Sequence, residues 1–173
     1  MIRLRRIRRY LANIIDDNKY KQTLDDLRAE RDYTAQIIHG TPSLVVGIAP
    51  DGTTRFVNPA VETVTGYKKE ELIGRNWWTT FYPGAEYAQV EKLFQDFEKG
   101  AVRDYEMTLI GKYGDRKTVA WNSLNRFNAK GELVEVIGFG NDMTARLQAQ
   151  EELKAQQAVA AASSKMSALG EMA

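Results

Sequence analysis

Three tryptophans and two asparagines are the side chains in this sequence best suited to hold a planar molecule. Trp77 and Trp78 are adjacent and follow Asn76, whereas Trp121 precedes Asn122 in a later segment. Indole rings pack against flat aromatic groups, and amides supply the few directional hydrogen bonds that a ligand pocket needs. These residues are therefore candidates for a cofactor site. The alternative is a structural role in the core and at its edge.

A second group of residues lies where a predicted strand passes into a predicted helix, at Asp142-Met143-Thr144. An aspartate at the start of a helix accepts hydrogen bonds from free backbone N–H groups and complements the helix dipole. Arg146 is near enough in sequence to form a salt bridge with Asp142. The residues are predicted either to cap the helix or to transmit movement from the strand to the helix, and the two roles are compatible.

The composition excludes several kinds of chemistry. The chain contains no cysteine, which excludes disulfides, thiolate metal sites, cysteine nucleophiles and flavin–cysteinyl photochemistry. Its one histidine, His39, supports neither a metal cluster nor a Ser-His-Asp triad. A formal net charge of +1 provides no field that would attract nucleic acid. Because no apolar run approaches the length of a membrane span, we expect a soluble, cytoplasmic chain.

The N-terminal part of the chain is predicted to be one amphipathic helix, because it contains neither Gly nor Pro before residue 40. A seam with three- and four-residue spacing runs along its second half: Leu24, Leu27, Arg31, Thr34 and Ile38. This spacing favours a coiled coil in a homodimer. Packing of the helix on its own domain is the alternative.

The beginning of this helix is strongly basic. Its arginines alternate with apolar residues: Arg3, Arg5, Arg6, Arg8 and Arg9. A basic amphipathic helix can lie on an anionic membrane surface, which would make the chain membrane-associated. The alternative is a helix end whose charges are simply solvated.

Short strands and helices follow the long helix. SLVVGIAP and TTRFVN are predicted to be strands that meet in a hairpin at Asp51-Gly52. Pro59 suits the first position of a helix, with Asn58 as its N-cap. The chain therefore turns from a first pair of strands directly into helical structure.

A longer helix, three strands and a final helix complete the order of elements. YAQVEKLFQDFEKG predicts an amphipathic helix with its apolar face and its stop at Val90, Leu93, Phe94, Phe97 and Gly100. The segments DYEMTLIGKYG, DRKTVAWNSLNRFN and GELVEVIGFGND alternate in polarity as strands do. From Thr144 onward the pattern is helical again.

Taken in order, these motifs resemble a known family. The run VVGIAPDGTTRFVNPAVETVTGYKKEELIGRNWW resembles the first half of a PAS domain, and GNDMTARLQAQEEL resembles the exit of one. The resemblance implies an α+β protein with the PAS fold, a five-stranded antiparallel sheet with short helices, flanked by long N- and C-terminal helices. The expected divisions are a helix at 1–36, the PAS domain at 37–143 and a signalling helix at 144–173.

The tail SSKMSALGEMA resembles the entry of the dimerisation and phosphoacceptor helix of a sensor histidine kinase. This implies the sensor module of a two-component system, acting as a homodimer, whose parent kinase passes a phosphoryl group to a response regulator. Neither the phosphoacceptor histidine nor an ATP-binding motif is matched in this chain, so we expect a truncation without kinase activity of its own. A ligand-free PAS domain that serves as a dimerisation or protein-interaction spacer is the alternative.

The resemblance also bears on the two candidate sites. Flavin-binding PAS sensors surround the isoalloxazine ring with aromatic and polar side chains, so FAD or FMN is a candidate ligand, beside another small molecule or none. Haem is not expected, because haem-binding PAS domains usually take a histidine from the helix that corresponds to 87–100, and this helix has none. At the junction, the resemblance implies that Asp142, Thr144 and Arg146 couple the sheet to the outgoing helix.

Overall fold

The computed structural model describes residues 2–88, 90, 93 and 101–170, and the side chains of 19–88, 90, 93 and 101–162. The chain divides between Thr41 and Pro42 into two compact units. The first unit is helical, and the second contains the sheet and the shorter helices.

The first unit is a single helix, α1, from Ile2 to Gly40. This confirms the predicted helix, which continues beyond residue 36 because no Gly or Pro interrupts it before Gly40. Leu27 and Ile37 are exposed on it, although both are apolar. Pairing of this helix in a dimer stays a prediction, and the side chains of the five N-terminal arginines lie outside the described residues.

The second unit is built on five antiparallel strands: β1 (Leu44–Ile48), β2 (Thr54–Val57), β3 (Tyr105–Ile110), β4 (Arg116–Phe127) and β5 (Leu133–Asp142). Their order in the sheet is β2-β1-β5-β4-β3. The predicted hairpin between β1 and β2 is confirmed, with Gly52 at φ +86° and its N–H donating to the carbonyl of Ala49. This architecture confirms the predicted α+β PAS fold.

Short helices cover one face of the sheet: α2 (Pro59–Thr65), α3 (Lys69–Leu72), α4 (Trp77–Phe81) and a 3₁₀ turn (Gly84–Glu86). The predicted cap of α2 is confirmed, because the Asn58 side chain accepts a hydrogen bond from the N–H of Val61. The same buried amide accepts from the N–H of Val45 at 2.9 Å and donates to the carbonyl of Ser43 at 2.9 Å. One asparagine thus starts α2 and holds it against β1.

The longer predicted helix is described only in part. Val90 and Leu93 are helical and buried, as the apolar spacing predicts. The other predicted positions of this helix, Phe94, Phe97 and Gly100, lie outside the described residues. The final helix, α5, runs from Thr144 to Gly170. In the part of the chain that the structure describes, no helix is both long and apolar enough to cross a membrane.

The core lies between the short helices and one face of the sheet. It is apolar and contains Leu44, Val46, Val57, Val61, Leu72, Trp77, Phe81, Tyr82, Val90, Met107, Leu109, Val119 and Trp121 among its most buried members. The opposite face of β4 and β5 carries Leu124 and Phe139, which are exposed. The strands therefore alternate between a buried face and a face that presents apolar groups to solvent.

Candidate ligand site and strand–helix junction

The three tryptophans meet around one cavity inside the second unit. Trp77 and Trp78 lie on α4, and Trp121 lies on β4. The rings of Trp77 and Trp121 are 6.0 Å apart between centroids and nearly perpendicular, at 88°. This edge-to-face contact joins the helical layer to the sheet and forms one wall of the cavity.

Asn76 does not belong to the cavity, although the sequence made it a candidate. Its side-chain oxygen accepts a hydrogen bond from the N–H of Thr79 at 3.1 Å and so caps α4. Its side-chain nitrogen donates to the carbonyl of Asp51 at 3.0 Å. Both ends of the amide thus stabilise the fold, because the residue stands at a helix start beside the β1–β2 turn.

Asn122 does line the cavity, but its carbonyl group is already engaged. The oxygen accepts a hydrogen bond from the N–H of Asp104 at 3.2 Å. Ser123, which also lines the cavity, accepts from the N–H of Val102 at 3.0 Å. The oxygens of these two side chains therefore fix the segment that enters β3.

Two glycines beneath the Trp121 ring and a tyrosine in the cavity wall were not identified from the sequence. A Cβ atom at Gly140 would lie 2.7 Å from Cζ3 of Trp121, and one at Gly138 would lie 3.4 Å from the same ring. The Trp121 indole therefore lies directly on the backbone of β5. The GFG pattern within a strand was the available signal, since alternate glycines leave room for a close neighbour.

Tyr82 is almost completely buried beside the cavity. Burial raises the pKa of Tyr82 well above its usual value, and the neighbouring Trp121 indole offsets part of this rise. The phenol is therefore uncharged at neutral pH. No hydrogen bond of ordinary geometry joins the two, because Nε1 of Trp121 is buried without a partner among the described residues. The core beside the cavity thus contains one buried hydrogen-bond donor without a partner among the described residues.

The cavity is too small for the flavin that the tryptophans suggested. Its volume is about 30 Å³, whereas pockets for larger ligands have volumes of roughly 300 to 1,000 Å³. An isoalloxazine ring would have to displace the packed indoles. The residues described here therefore do not fit FAD or FMN. In the same part of the chain, no group of three or more histidine and acidic side chains is placed to hold a metal ion.

The junction between β5 and α5 is a compact set of hydrogen bonds. The carboxylate of Asp142 accepts from the N–H of Thr144 at 2.9 Å and from its hydroxyl at 2.6 Å. The hydroxyl oxygen of Thr144 in turn accepts from the N–H of Thr118 on β4 at 3.0 Å. The N–H of Met143 donates to the carbonyl of Thr118 at 2.8 Å. The first residues of α5 are therefore attached to β4 as well as to β5.

The predicted salt bridge between Asp142 and Arg146 is wrong. Among the described residues, no ion pair joins these two side chains, and Arg146 is exposed. The carboxylate is engaged by Thr144 instead. An exposed arginine loses little by remaining in water, because surface ion pairs stabilise a fold only weakly.

Comparison with known proteins agrees with this geometry. The sequence profile of the family described as PAS domain matches residues 41–145. The chain belongs to the PAS domain family, and its sheet and short helices are those of that fold.

A curated relative identifies the kind of protein in which such a domain occurs. The chain is 29% identical over 126 residues to the signal transduction histidine-protein kinase AtoS of Escherichia coli strain K12. The match covers 72% of this chain and 20% of AtoS, so the chain spans a fifth of that kinase. The chain is therefore a PAS domain related to the sensor region of a histidine kinase.

Solved structures share the fold at low sequence identity. A PAS domain from Colwellia psychrerythraea is 20% identical with a TM-score of 0.60, covering 66% of this chain and 97% of that one. A PAS domain from a two-component sensor histidine kinase is 14% identical with a TM-score of 0.56, again covering 66% and 97%. An RNA-binding light-oxygen-voltage receptor is 20% identical with a TM-score of 0.62, covering 74% and 37%.

Proposed function

We propose that this chain is the signal-sensing and dimerisation module of a two-component histidine kinase. A change in the PAS domain would pass through Asp142-Met143-Thr144 into α5 and from there into the kinase helix. The likeness to AtoS and the kinase-like tail SSKMSALGEMA support the parent activity. Three contacts between Thr118, Thr144 and Asp142 carry the proposed route, since they attach the start of α5 to the sheet.

Dimerisation and phosphotransfer belong to the same proposal. Leu27, which belongs to the predicted seam, is exposed on α1, and Leu153 is exposed on α5. Pairing of each helix with its equivalent in a second copy would cover these residues, as in a coiled coil. The parent kinase would then transfer a phosphoryl group from ATP to its own histidine and on to a response regulator.

The route through the junction is tested in the full-length kinase by its rate of autophosphorylation. We expect Asp142→Ala and Thr144→Val each to change this rate by about fivefold or more, which is the scale of an ordinary coupling between sites. Thr144→Ser keeps the hydroxyl group and should retain the parental rate. Asp115→Ala removes another exposed aspartate, in the β3–β4 turn, and is the matched control.

An unchanged rate in Asp142→Ala and Thr144→Val would remove the junction from the signalling route. The second candidate function, a ligand-free dimerisation or protein-interaction spacer, would then be favoured. The exposed Leu124 on β4 and Phe139 on β5 share one face of the sheet and support that candidate, because apolar groups on a sheet face often mark an interaction surface. Under it, Leu124→Asp would impair assembly, whereas Asp142→Ala would not.

A further inference from the structure

We infer that the basic segment of α1, residues 2–15, binds the surface of a bilayer that contains anionic lipids, with the helix lying in the plane of that surface. This binding goes beyond the proposed signalling role and does not depend on it. It follows from how apolar residues, arginines and acidic residues are distributed along one continuous helix.

The apolar residues of the basic segment share one face of the helix. The backbone is helical throughout, as part of α1 from Ile2 to Gly40. At 3.6 residues per turn, positions three, four and seven apart fall on the same side of a helix. Five apolar residues follow this spacing: Leu4, Ile7, Leu11, Ile14 and Ile15. The face ends there, because the next positions along it are Asn18 and Gln22.

The rest of the circumference carries the positive charge. It contains five arginines: Arg3, Arg5, Arg6, Arg8 and Arg9. By the same spacing, Arg3 and Arg8 come next to the apolar face, one on each side. The first acidic residue of the chain is Asp16, so no carboxylate within the segment offsets these charges. A guanidinium group binds phosphate oxygens in pairs, and its long stem allows it to do so beside a buried apolar surface.

The second half of α1 has a different pattern. Between residues 19 and 40, four basic residues are balanced by four acidic ones: Lys19, Lys21, Arg28, Arg31, Asp25, Asp26, Glu30 and Asp32. Two of these arginines form ion pairs on the same helix, Arg28 with Asp25 and Arg31 with Asp32. Uncompensated charge and a continuous apolar face therefore occur together only in the first half, and this combination holds a helix at a membrane surface.

An orientation in the plane of the bilayer suits the segment better than one across it. Arginine is costly in the hydrocarbon core, and here it recurs at every second or third position. A helix that lies flat places its apolar face at the boundary between headgroups and acyl chains. The arginines then remain at the level of the lipid phosphates, where their charge is favourable.

Pairing of the basic segment with a second copy would bring like charges together. In a parallel coiled coil built on Leu4, Ile7 and Leu11, Arg3 would take a g position and Arg8 an e position. Opposite charges normally meet across the interface at these positions, whereas Arg3 of one copy would face Arg8 of the other. The first half of α1 is therefore less suited to pairing than the second half.

Nucleic acid would use the arginines but not the apolar face. Contacts to a phosphate backbone come from basic and polar groups. The five aliphatic residues of the segment would remain in water in such a complex. A bilayer surface accounts for both the charge and the apolar face.

The inference is tested by sedimentation of the full chain with vesicles of phosphatidylcholine and phosphatidylglycerol in equal parts. We expect binding that weakens as salt is added and that is far weaker with phosphatidylcholine alone. Arg3→Gln together with Arg8→Gln should weaken binding by roughly 25-fold, because each basic residue near an anionic surface contributes about fivefold. Arg28→Gln together with Arg55→Gln removes the same charge from two exposed positions and should leave binding unchanged.

The role of the apolar face is measured by the same substitution in both halves of α1. Ile7→Gln should weaken binding to the mixed vesicles by about tenfold, because an isoleucine that leaves water contributes on this scale. Ile37→Gln, at a 55% exposed position, should bind as the parent does. Equal binding of the two variants would contradict insertion of the apolar face.

The orientation of the helix is tested with a fluorophore on a single cysteine, since the chain has no cysteine of its own. Position 11 belongs to the apolar face, and position 13 lies on the far side of the helix. We expect an environment-sensitive dye on Leu11→Cys to shift its emission to shorter wavelength when vesicles are added. The same dye on Asn13→Cys should keep its emission.

Several results would overturn the inference. These are the absence of binding to the mixed vesicles, equal losses in the two arginine pairs, and equal spectral shifts at positions 11 and 13. Tighter binding to duplex DNA or RNA that depends on Arg3 and Arg8 but not on Ile7 would favour nucleic acid instead. A shift at position 11 that grows with protein concentration, without vesicles, would favour self-pairing. None of these results is read from kinase output, so the test of the Asp142 junction stands separately.

Discussion

The cavity and the polar contacts at the surface of the PAS domain differ in how completely their hydrogen-bonding groups are matched. Beside the cavity, the buried indole N–H of Trp121 has no partner among the described residues. At the junction, the Thr144 hydroxyl both donates to Asp142 and accepts from Thr118. A matched set holds one geometry, whereas a buried donor without a partner destabilises the fold around it. The core around the cavity and the proposed transmission junction thus differ in their chemistry.

The largest effect is expected in the packing around the cavity. Trp77 is 2% exposed, and its ring packs against Phe81 on α4 and Trp121 on β4. We expect Trp77→Ala to lower the free energy of unfolding by about 3 to 5 kcal/mol, as for other large residues removed from a core. Denaturation by urea measures the change, with Tyr113→Ala, at an 82% exposed position, as the control. A loss below about 1 kcal/mol would mean that the cavity is loosely packed.

A smaller effect is expected where the Trp121 ring lies on β5. A Cβ atom at Gly140 would come within 2.7 Å of both the ring and Val119. We expect Gly140→Ala to lower the free energy of unfolding by about 1 to 3 kcal/mol, because the core is overpacked. Gly40→Ala is the control, since no atom lies within 4 Å of its added Cβ. Equal stability of the two variants would contradict the close contact between Trp121 and β5.

The smallest effect is expected at a surface contact between Glu71 on α3 and Lys112. Their ion pair, at 2.7 Å, lowers the pKa of Glu71 through the hydrogen bond from Lys112 and raises the pKa of Lys112. Because the pKa of Glu71 is lower in the folded chain than its reference value of 4.5, the ion pair stabilises the fold above about pH 4.5. This stabilisation is lost as the pH falls through the lowered pKa.

The contribution of this pair is measured by comparing the parent chain with Glu71→Gln. We expect the parent to lose more stability than the variant between about pH 5 and pH 3. Glu106→Gln, at an exposed position on β3, should follow the parent across the same range. Parallel pH profiles for the parent and Glu71→Gln would show that the contact does not persist in solution.

Local signals in the sequence predicted the fold well. The cap of Asn58, the turn at Asp51-Gly52 and the alternation of the strands are each decided by a few neighbouring residues. The family resemblance added that the five strands form one antiparallel sheet, which the structure confirms. For these features, the preference of the local sequence agrees with the conformation that the whole fold requires.

The details of the two sites were less predictable, because they depend on contacts between distant segments. The amide of Asn76 was assigned to a ligand, yet it binds backbone groups of Asp51 and Thr79. Arg146 was assigned to Asp142, which binds Thr144 instead. The volume left beside Trp121 depends on residues from several strands and helices, and no spacing in the sequence reports it.

The position of two residues on β4 has a mechanical consequence. Trp121 in the cavity and Thr118 at the junction are three residues apart, or about 10 Å along a strand. Thr118 reaches the junction through its backbone N–H and carbonyl, which lie in the plane of the sheet, and its side chain takes no part. A displacement of β4 at Trp121 is therefore expected to travel to Thr118 along the strand backbone itself. The start of α5 would then follow β4 even where no side chain between the two residues changes its rotamer.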